Sequence, residues 1–265
     1  VTSGPGLMGS LLVGVNFARA YAWSLGIPCL SVNHMEGHIY ANFLEDPVPA
    51  FPFLCLTVSG GHTQLVLVRE GFHHEILGTT LDDAAGEAFD KVGKMLGLPF
   101  PAGPAIDRLA GEGNPSFVDF PRSMINDGTL DFSFSGVKTA VRYWLRDHPD
   151  ALSGAEPGAA RRVLADLSAS FQASVVDVLV RKTLLARDRT RAGDVAIAGG
   201  VSANTELRQR MTKASEAGGF RLHLPRLEFC TDNAAMIACT GHMMMLAGSG
   251  HRTHPHADPN LAMSL

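Results

Sequence analysis

The sequence has no CxxC pair, no uninterrupted apolar run of membrane length and no excess of basic charge, and each absence removes a class of protein. The four cysteines, Cys29, Cys55, Cys230 and Cys239, each lie within or beside an apolar stretch. They read as buried thiols of a reducing compartment rather than as a disulfide framework. The longest apolar region, Leu7 to Val32, is broken by Asn16, Arg19 and Pro28 and has no basic stretch ahead of it. It is too polar for a membrane span and lacks the start of a signal peptide, so a cytoplasmic location and no membrane are expected. Lysine and arginine number 22 against 26 aspartates and glutamates, a formal net charge of −4. No global basic surface marks a nucleic-acid-binding protein, so any RNA contact must be local or shared with a partner. No internal repeat or low-complexity tract is present.

What is there suffices for a core. The chain has 265 residues, 46% of them hydrophobic and 18% charged, which excludes disordered, collagen-like and fibrous classes. At about 150 residues per domain it divides into roughly 1.8 units, which favours two lobes. It opens at Val1 directly into Val-Thr-Ser-Gly-Pro-Gly, the end of a strand entering a turn, so an N-terminal part is expected to precede it.

Apolar periodicity predicts a helix over 7–25, closed by Gly26 and barred from continuing by Pro28, then a short buried strand over 29–32. Asn33 is placed to cap a helix over 34–44. Strand patterns at 51–58, 63–69 and 74–78 predict an antiparallel meander. Asp82 and Asp83 are expected to start a helix to Leu96, followed by a Pro- and Gly-rich loop over 97–104 and a short helix over 105–110. A weak strand is expected at 131–134, helices at 135–145 and 159–186 (the second long and open to a break), a parallel-type strand at 194–198 and a helix over 203–217. A strand over 220–224, an apolar helix over 232–246 and a tail with little order complete the reading. Strands alternating with crossover helices indicate an α/β protein.

Several short motifs could carry chemistry. In His34-Met35-Glu36-Gly37-His38 the imidazoles stand four apart on one helix face and can point at one cation, iron or zinc by ligand type. Two core or surface histidines that merely fall four apart fit the same spacing, and a third ligand must come from elsewhere. The zinc-protease signature sets its glutamate next to the first histidine. Here Glu36 lies two residues along, roughly 200° round the helix at about 100° per residue, and faces away from the metal.

Val58-Ser59-Gly60-Gly61-His62-Thr63 is a turn between strands whose glycines allow close approach of a ligand, or an ordinary hairpin turn. Ala198-Gly199-Gly200-Val201-Ser202-Ala203-Asn204 is a strand, turn and helix N-terminus suited to phosphate or ribose oxygens. The carboxylates of Asp90 and Asp107 could hold hydroxyls or belong to a solvated face. Asp232, in Cys230-Thr231-Asp232-Asn233, stands at a helix start, where a carboxylate is a routine cap. The basic residues Arg161, Arg162, Arg181, Lys182, Arg187, Arg189 and Arg191 are local candidates for RNA contact or a solvated helix face.

Taken together and in order, residues 34–38, 58–63, 82–91, 100–104, 132–138, 199–204 and 231–235 resemble the TsaD family, the threonylcarbamoyl-transferring subunit for tRNA, long described as the glycoprotease Gcp. The resemblance runs from Val1 to about Gly241, and the compact length looks like the bacterial branch. It implies an actin-like ATPase (ASKHA) fold of two lobes around a nucleotide cleft. Residues 1–50 and 232–265 would be what remains of an incomplete first lobe, and residues 51–231 the second. It implies metal ligation by His34, His38 and Asp232, with one divalent ion, iron(II) or else zinc. Thr57, Val58, Ser59, Gly60 and Gly61 would bind the acyl and phosphate end of the substrate, and Asp90, Gly103, Asp107 and Asn204 its adenylate.

The implied reaction moves threonylcarbamoyl from threonylcarbamoyl-AMP to N6 of the adenosine 3′ of the anticodon of ANN-decoding tRNA. The enzyme is then an N6-L-threonylcarbamoyladenine synthase, an acyltransferase with no certain catalytic side chain, and TsaB-like and TsaE-like subunits are the implied partners. A metalloprotease of the O-sialoglycoprotein endopeptidase kind and an inert ASKHA scaffold are the rival readings.

Overall fold

The structure, a computed structural model, describes residues 1–153, 158–248 and 255–263. At its start β1 (Thr2–Gly4) pairs in parallel with β2 (Val32–Asn33), and α1 (Met8–Leu25) is the crossover between them. Gly26 ends α1 in the left-handed conformation, φ 62°. The strand expected over 29–32 shrinks to Val32–Asn33, because β1 offers only three residues to pair with. Helix α2 (His34–Tyr40) starts directly behind it: the Asn33 side-chain oxygen Oδ1 accepts from the N–H groups of Met35 (2.8 Å) and Glu36 (3.3 Å). A 3-10 turn at Ala41–Phe43 replaces its expected last turn.

The antiparallel meander is present as β3 (Phe53–Val58), β4 (Thr63–Arg69) and β5 (His73–Thr79). Then come α3 (Ala85–Met95), α4 (Gly103–Ala110), α5 (Ser135–Asp147), α6 (Ala159–Thr190), β6 (Asp194–Ala198), α7 (Thr205–Gly218), β7 (Arg221–His223), α8 (Leu227–Cys230) and α9 (Ala234–Leu246). The main sheet runs β5-β4-β3-β6-β7, with β3, β6 and β7 parallel.

Every residue of β3 and β6 is buried, as expected for strands covered on both faces. On one face Leu54, Leu56, Leu65 and Ile197 meet Phe89 of α3 and Phe171 of α6. On the other, Cys55, Val66 and Ala196 meet Met35, Ile39 and Tyr40 of α2 and Met244 of α9. Each buried Leu, Ile, Val, Met or Phe among them contributes ~1.5–3 kcal/mol, so α2 is held firmly to the sheet. All four cysteines are free thiols, two of them buried.

Four local expectations are corrected. Helix α3 begins at Ala85, not at Asp82; the Asp82 carboxylate instead accepts from the N–H groups of Phe134 (2.8 Å) and Ser135 (3.2 Å) and caps α5, a partner distant in sequence. The strand at 131–134 reduces to one bridge, Thr80 to Phe132. Helix α6 runs unbroken for 32 residues, since it contains neither Pro nor Gly. It alone among the described residues is long and apolar enough to cross a membrane, yet 78% of its most apolar window is buried inside the protein, which makes it a core helix. The tail is docked rather than loose: Asp258 N–H donates to Ser3 (2.8 Å) and Met263 is buried. His254 lies outside the described residues, and His256 is exposed.

Asp194, 1% exposed, ties β6 to its surroundings. It accepts from Ala50 N–H at 2.7 Å and from Arg221 at 2.5 Å, and lies 3.3 Å from His223. Burial alone would raise its pKa, but these donors together hold it below the usual carboxylate range. Asp194→Asn is expected to lose about 2 kcal/mol at pH 7, chiefly by stranding buried partners. A depressed carboxyl stabilises above its unfolded pKa and stops doing so as pH falls through its folded value. The difference should therefore narrow below the ordinary value of 3.8. Urea unfolding of both proteins across that range checks the sign.

Candidate metal centre and cleft

The capped first turn of α2 presents His34 and His38 one above the other, ring centroids 4.8 Å apart and edge to face. His38 is buried and His34 partly exposed. Asp232 reaches them from the segment between α8 and α9, its Oδ1 lying 3.3 Å from Nε2 of each histidine. Its expected role as a cap is taken by its neighbour: the Asn233 side chain accepts from Met236 N–H at 2.8 Å. Asp232 is thereby released to face the imidazoles. Helix α9 comes this close because residue 37 is glycine; a Cβ there would stand 2.9 Å from Ile237.

Hydrogen bonding to the two histidines lowers the Asp232 carboxyl below its ordinary range, a pull that water weakens because the side chain is largely exposed. With both imidazoles neutral, ring and carboxylate lone pairs converge within 4.8 Å. A divalent ion satisfies such a set. Bonds of ~2.0–2.1 Å at 90–109° put neighbouring ligand atoms roughly 2.9–3.4 Å apart; both histidine-to-aspartate separations are 3.3 Å, while the set as a whole spans 4.8 Å, so the two imidazoles would draw together on binding an ion. His38 Nδ1 is buried without a hydrogen-bond partner, and an ion bound at Nε2 would displace the proton that Nε2 gives to Asp232 in the ion-free site. The residues fit a metal. Glu36 is fully buried, close enough to Tyr40 to raise the pKa of its hydroxyl after burial has done so, and is outside the cluster.

The cluster opens on a cavity of about 1070 Å³ whose wall includes Ser59, Gly60, Gly61, His62 and Gly200. The β3–β4 turn is pinned by Ser59 N–H to His62 (2.8 Å) and by His62 N–H to the Ser59 hydroxyl (3.1 Å). Gly60 and Gly61 face open space where a side chain would stand. Gly199, φ 87°, passes so close to β3 that a Cβ would sit 2.4 Å from the Val58 carbonyl. Of the expected acyl-binding residues, Ser59, Gly60 and Gly61 line this cavity. Thr57 and Val58 are buried within the sheet, paired with Gln64 and Thr63. His62 was given no role from sequence, although it stands inside the turn motif. Burial, and after it the neighbouring His34 and His38, lower its pKa.

The expected adenylate residues form a second group, off that wall. Asp90 accepts from Ala102 N–H at 2.7 Å and so fixes the loop leading to Gly103, the first residue of α4. Asp107 and Asn204 meet directly: Asn204 Nδ2 donates to Asp107 (3.1 Å) and to Gln172 (2.7 Å), while Asn204 Oδ1 caps α7 through Leu207 N–H at 3.0 Å. Thr205 also donates to Asp107, from its hydroxyl at 2.8 Å. Gln172, buried on α6, carried no signal in sequence.

Compared with known proteins, residues 1–239 match the family model TsaD, described as tRNA N6-adenosine threonylcarbamoyltransferase. A curated relative of that name from Desulfitobacterium hafniense (strain Y51) is 53% identical over 246 residues, 93% of this chain and 70% of that protein. Another, from Salinibacter ruber (strain DSM 13855 / M31), is 50% identical over 264 residues, 100% of this chain and 77% of that protein. Among solved structures, a crystal structure of T. kodakarensis HypF superposes with TM-score 0.64 at 14% identity, over 91% of this chain and 40% of that one. This last likeness concerns the fold alone, the mixed α/β, actin-like ATPase type.

Proposed function

Because the chain belongs to the TsaD family of tRNA N6-adenosine threonylcarbamoyltransferases, we propose that it transfers the threonylcarbamoyl group from threonylcarbamoyl-AMP to N6 of the adenosine 3′ of the tRNA anticodon. The adenosine amine bonds to the carbamoyl carbon, the bond from that carbon to the phosphate oxygen breaks, the amine loses a proton and AMP leaves. The observation that carries this reading is the convergence of His34, His38 and Asp232 on the wall that also holds the Ser59–His62 turn and Gly200. These three residues hold one divalent ion, iron(II) or zinc. When bound, it supplies a Lewis acid for a carbonyl or phosphoryl oxygen.

The chain's own residues do the positioning. The bare backbone at Gly60 and Gly61 lets the acyl-phosphate end come close, and the Asp107–Asn204 group, with Asp90 and Gly103 behind it, holds the adenylate side. Glu36, sealed in the core beneath the site, is no base for a metal-bound water, and the protease reading is not favoured. An inert scaffold would have no use for the three-ligand set. The free thiols suit a cytoplasmic enzyme.

Docking of the RNA is shared with partners. Lys182, one of the basic candidates, is fully buried against Asp127 at 2.6 Å, and Arg161 is engaged by Glu112 at 2.8 Å. On α1, Val13, Phe17 and Trp23 are 72–86% exposed, a surface that suits a TsaB-like subunit, with a TsaE-like one completing the set. The test supplies threonylcarbamoyl-AMP, ANN-decoding tRNA and those subunits, and reads threonylcarbamoyladenosine in digested RNA. Modified nucleoside should form, with tRNA binding that falls steeply with salt. No transfer with the complete set, or tight salt-insensitive binding of tRNA by this chain alone, would overturn the corresponding part.

A further inference from the structure

We propose that residues 255–263 strap α2 in place through Asn33, and so set the affinity of the His34–His38–Asp232 centre for its ion; the inference rests on the metal reading above. Asn33 is fully buried and its amide does two jobs. The oxygen caps α2 by accepting from Met35 and Glu36 N–H groups. The nitrogen donates to the Leu261 carbonyl at 2.9 Å, across the whole length of the chain. An amide tied at both ends cannot rotate, so the direction of the Leu261 carbonyl fixes the cap, and the cap fixes the turn that begins with His34.

The strap is itself anchored at separate points. Asp258 N–H donates to the Ser3 carbonyl (2.8 Å), and Gly6 N–H donates to the Pro259 carbonyl (3.2 Å), joining the tail to β1 and to the turn after it. Met263, 8% exposed, enters the apolar cluster that holds Met35, Ile39 and Tyr40, so the tail also packs beneath α2. Its segment 259–263 encloses, with Met35, His62 and Gln64, a cavity of about 540 Å³. The backbone ahead of His34 and the apolar side of α2 are therefore both in contact with a part of the chain that supplies no ligand. Groups that orient ligands from behind typically change metal affinity 10–100-fold when removed.

Two neutral substitutions in the full chain test this without altering the charge near the ligands. Asn33→Ser keeps a good helix cap but lacks the amide that reaches Leu261; Met263→Ser removes the apolar anchor at the other end of the strap. Zinc alone is titrated into parent and variants by competition with a chelator, and amide hydrogen exchange is followed over 255–263. In both variants exchange over this segment should quicken and zinc binding should weaken about tenfold, with circular dichroism unchanged. If one variant does not fold, the other carries the test. Exchange as slow as in the parent, or a freed strap with zinc affinity within about twofold of the parent's, overturns the inference. A parent that binds no zinc or iron(II) at all overturns the metal reading first, and the strap with it.

Discussion

Alanine at His34, His38 or Asp232 is expected to strip the purified protein of its ion and to abolish threonylcarbamoyl transfer. Each offers one of three candidate ligand atoms that lie within 4.8 Å of one another. Losing any one leaves a pair too weak to hold a divalent ion, so affinity should fall by more than the roughly 10–100-fold that outer-shell changes cause. The three variants should differ in stability, which separates ligand loss from unfolding. His38 is 2% exposed and its removal opens a buried cavity of imidazole size, at about 2 kcal/mol or more. Asp232, at 77%, is solvated on most of its surface, and its removal should leave the melting temperature of the ion-free protein nearly unchanged. Metal analysis of purified protein beside urea unfolding checks both halves. Unchanged metal content in all three variants would sink the assignment.

The parts of this site that were legible in the sequence are those whose partners lie within one turn. The spacing of His34 and His38, the Asn33 cap and the two glycine turns are local signals; α2 starts where they put it, though it ends at Tyr40, and β4 and β6 stand where expected. Asp232 could be paired with the histidines only through family resemblance, since a carboxylate at a helix start looks the same whether it caps the helix or faces away. The residue that settles it is Asn233, whose side chain takes the cap. Asp82 went astray for the same reason in reverse: it does cap a helix, but α5 rather than α3, through contacts that no periodicity encodes. Gln172 is invisible in an apolar helix until Asn204 is seen donating to it. The tail reads as disorder because His and Pro residues form no periodic pattern, although single backbone groups at Asp258 and Leu261 and one methionine suffice to dock it.

Asn204→Ala is expected to weaken binding of the adenylate product, AMP, by tenfold or more while leaving bound metal intact. The residue joins elements far apart in sequence: its oxygen caps α7, and its nitrogen bridges Asp107 of α4 and Gln172 of α6. Removing the cap costs about 1 kcal/mol, and the Gln172 oxygen, 3% exposed as a residue, is left buried without its donor, a further ~1–3 kcal/mol. That cost falls on the group that is to hold the adenylate, and not on α2 or α9. Asn204→Asp divides the two contributions. It keeps an acceptor for Leu207 N–H but has no N–H to give, and it sets a second carboxylate against Asp107. Were the cap alone responsible, the aspartate variant would bind AMP like the parent. Were the donor responsible, both variants would bind weakly, and the aspartate variant would recover as pH falls toward its carboxyl pKa. Calorimetric titration of AMP at two pH values distinguishes these outcomes, and parent-like affinity in both variants at neutral pH would remove Asn204 from the binding site.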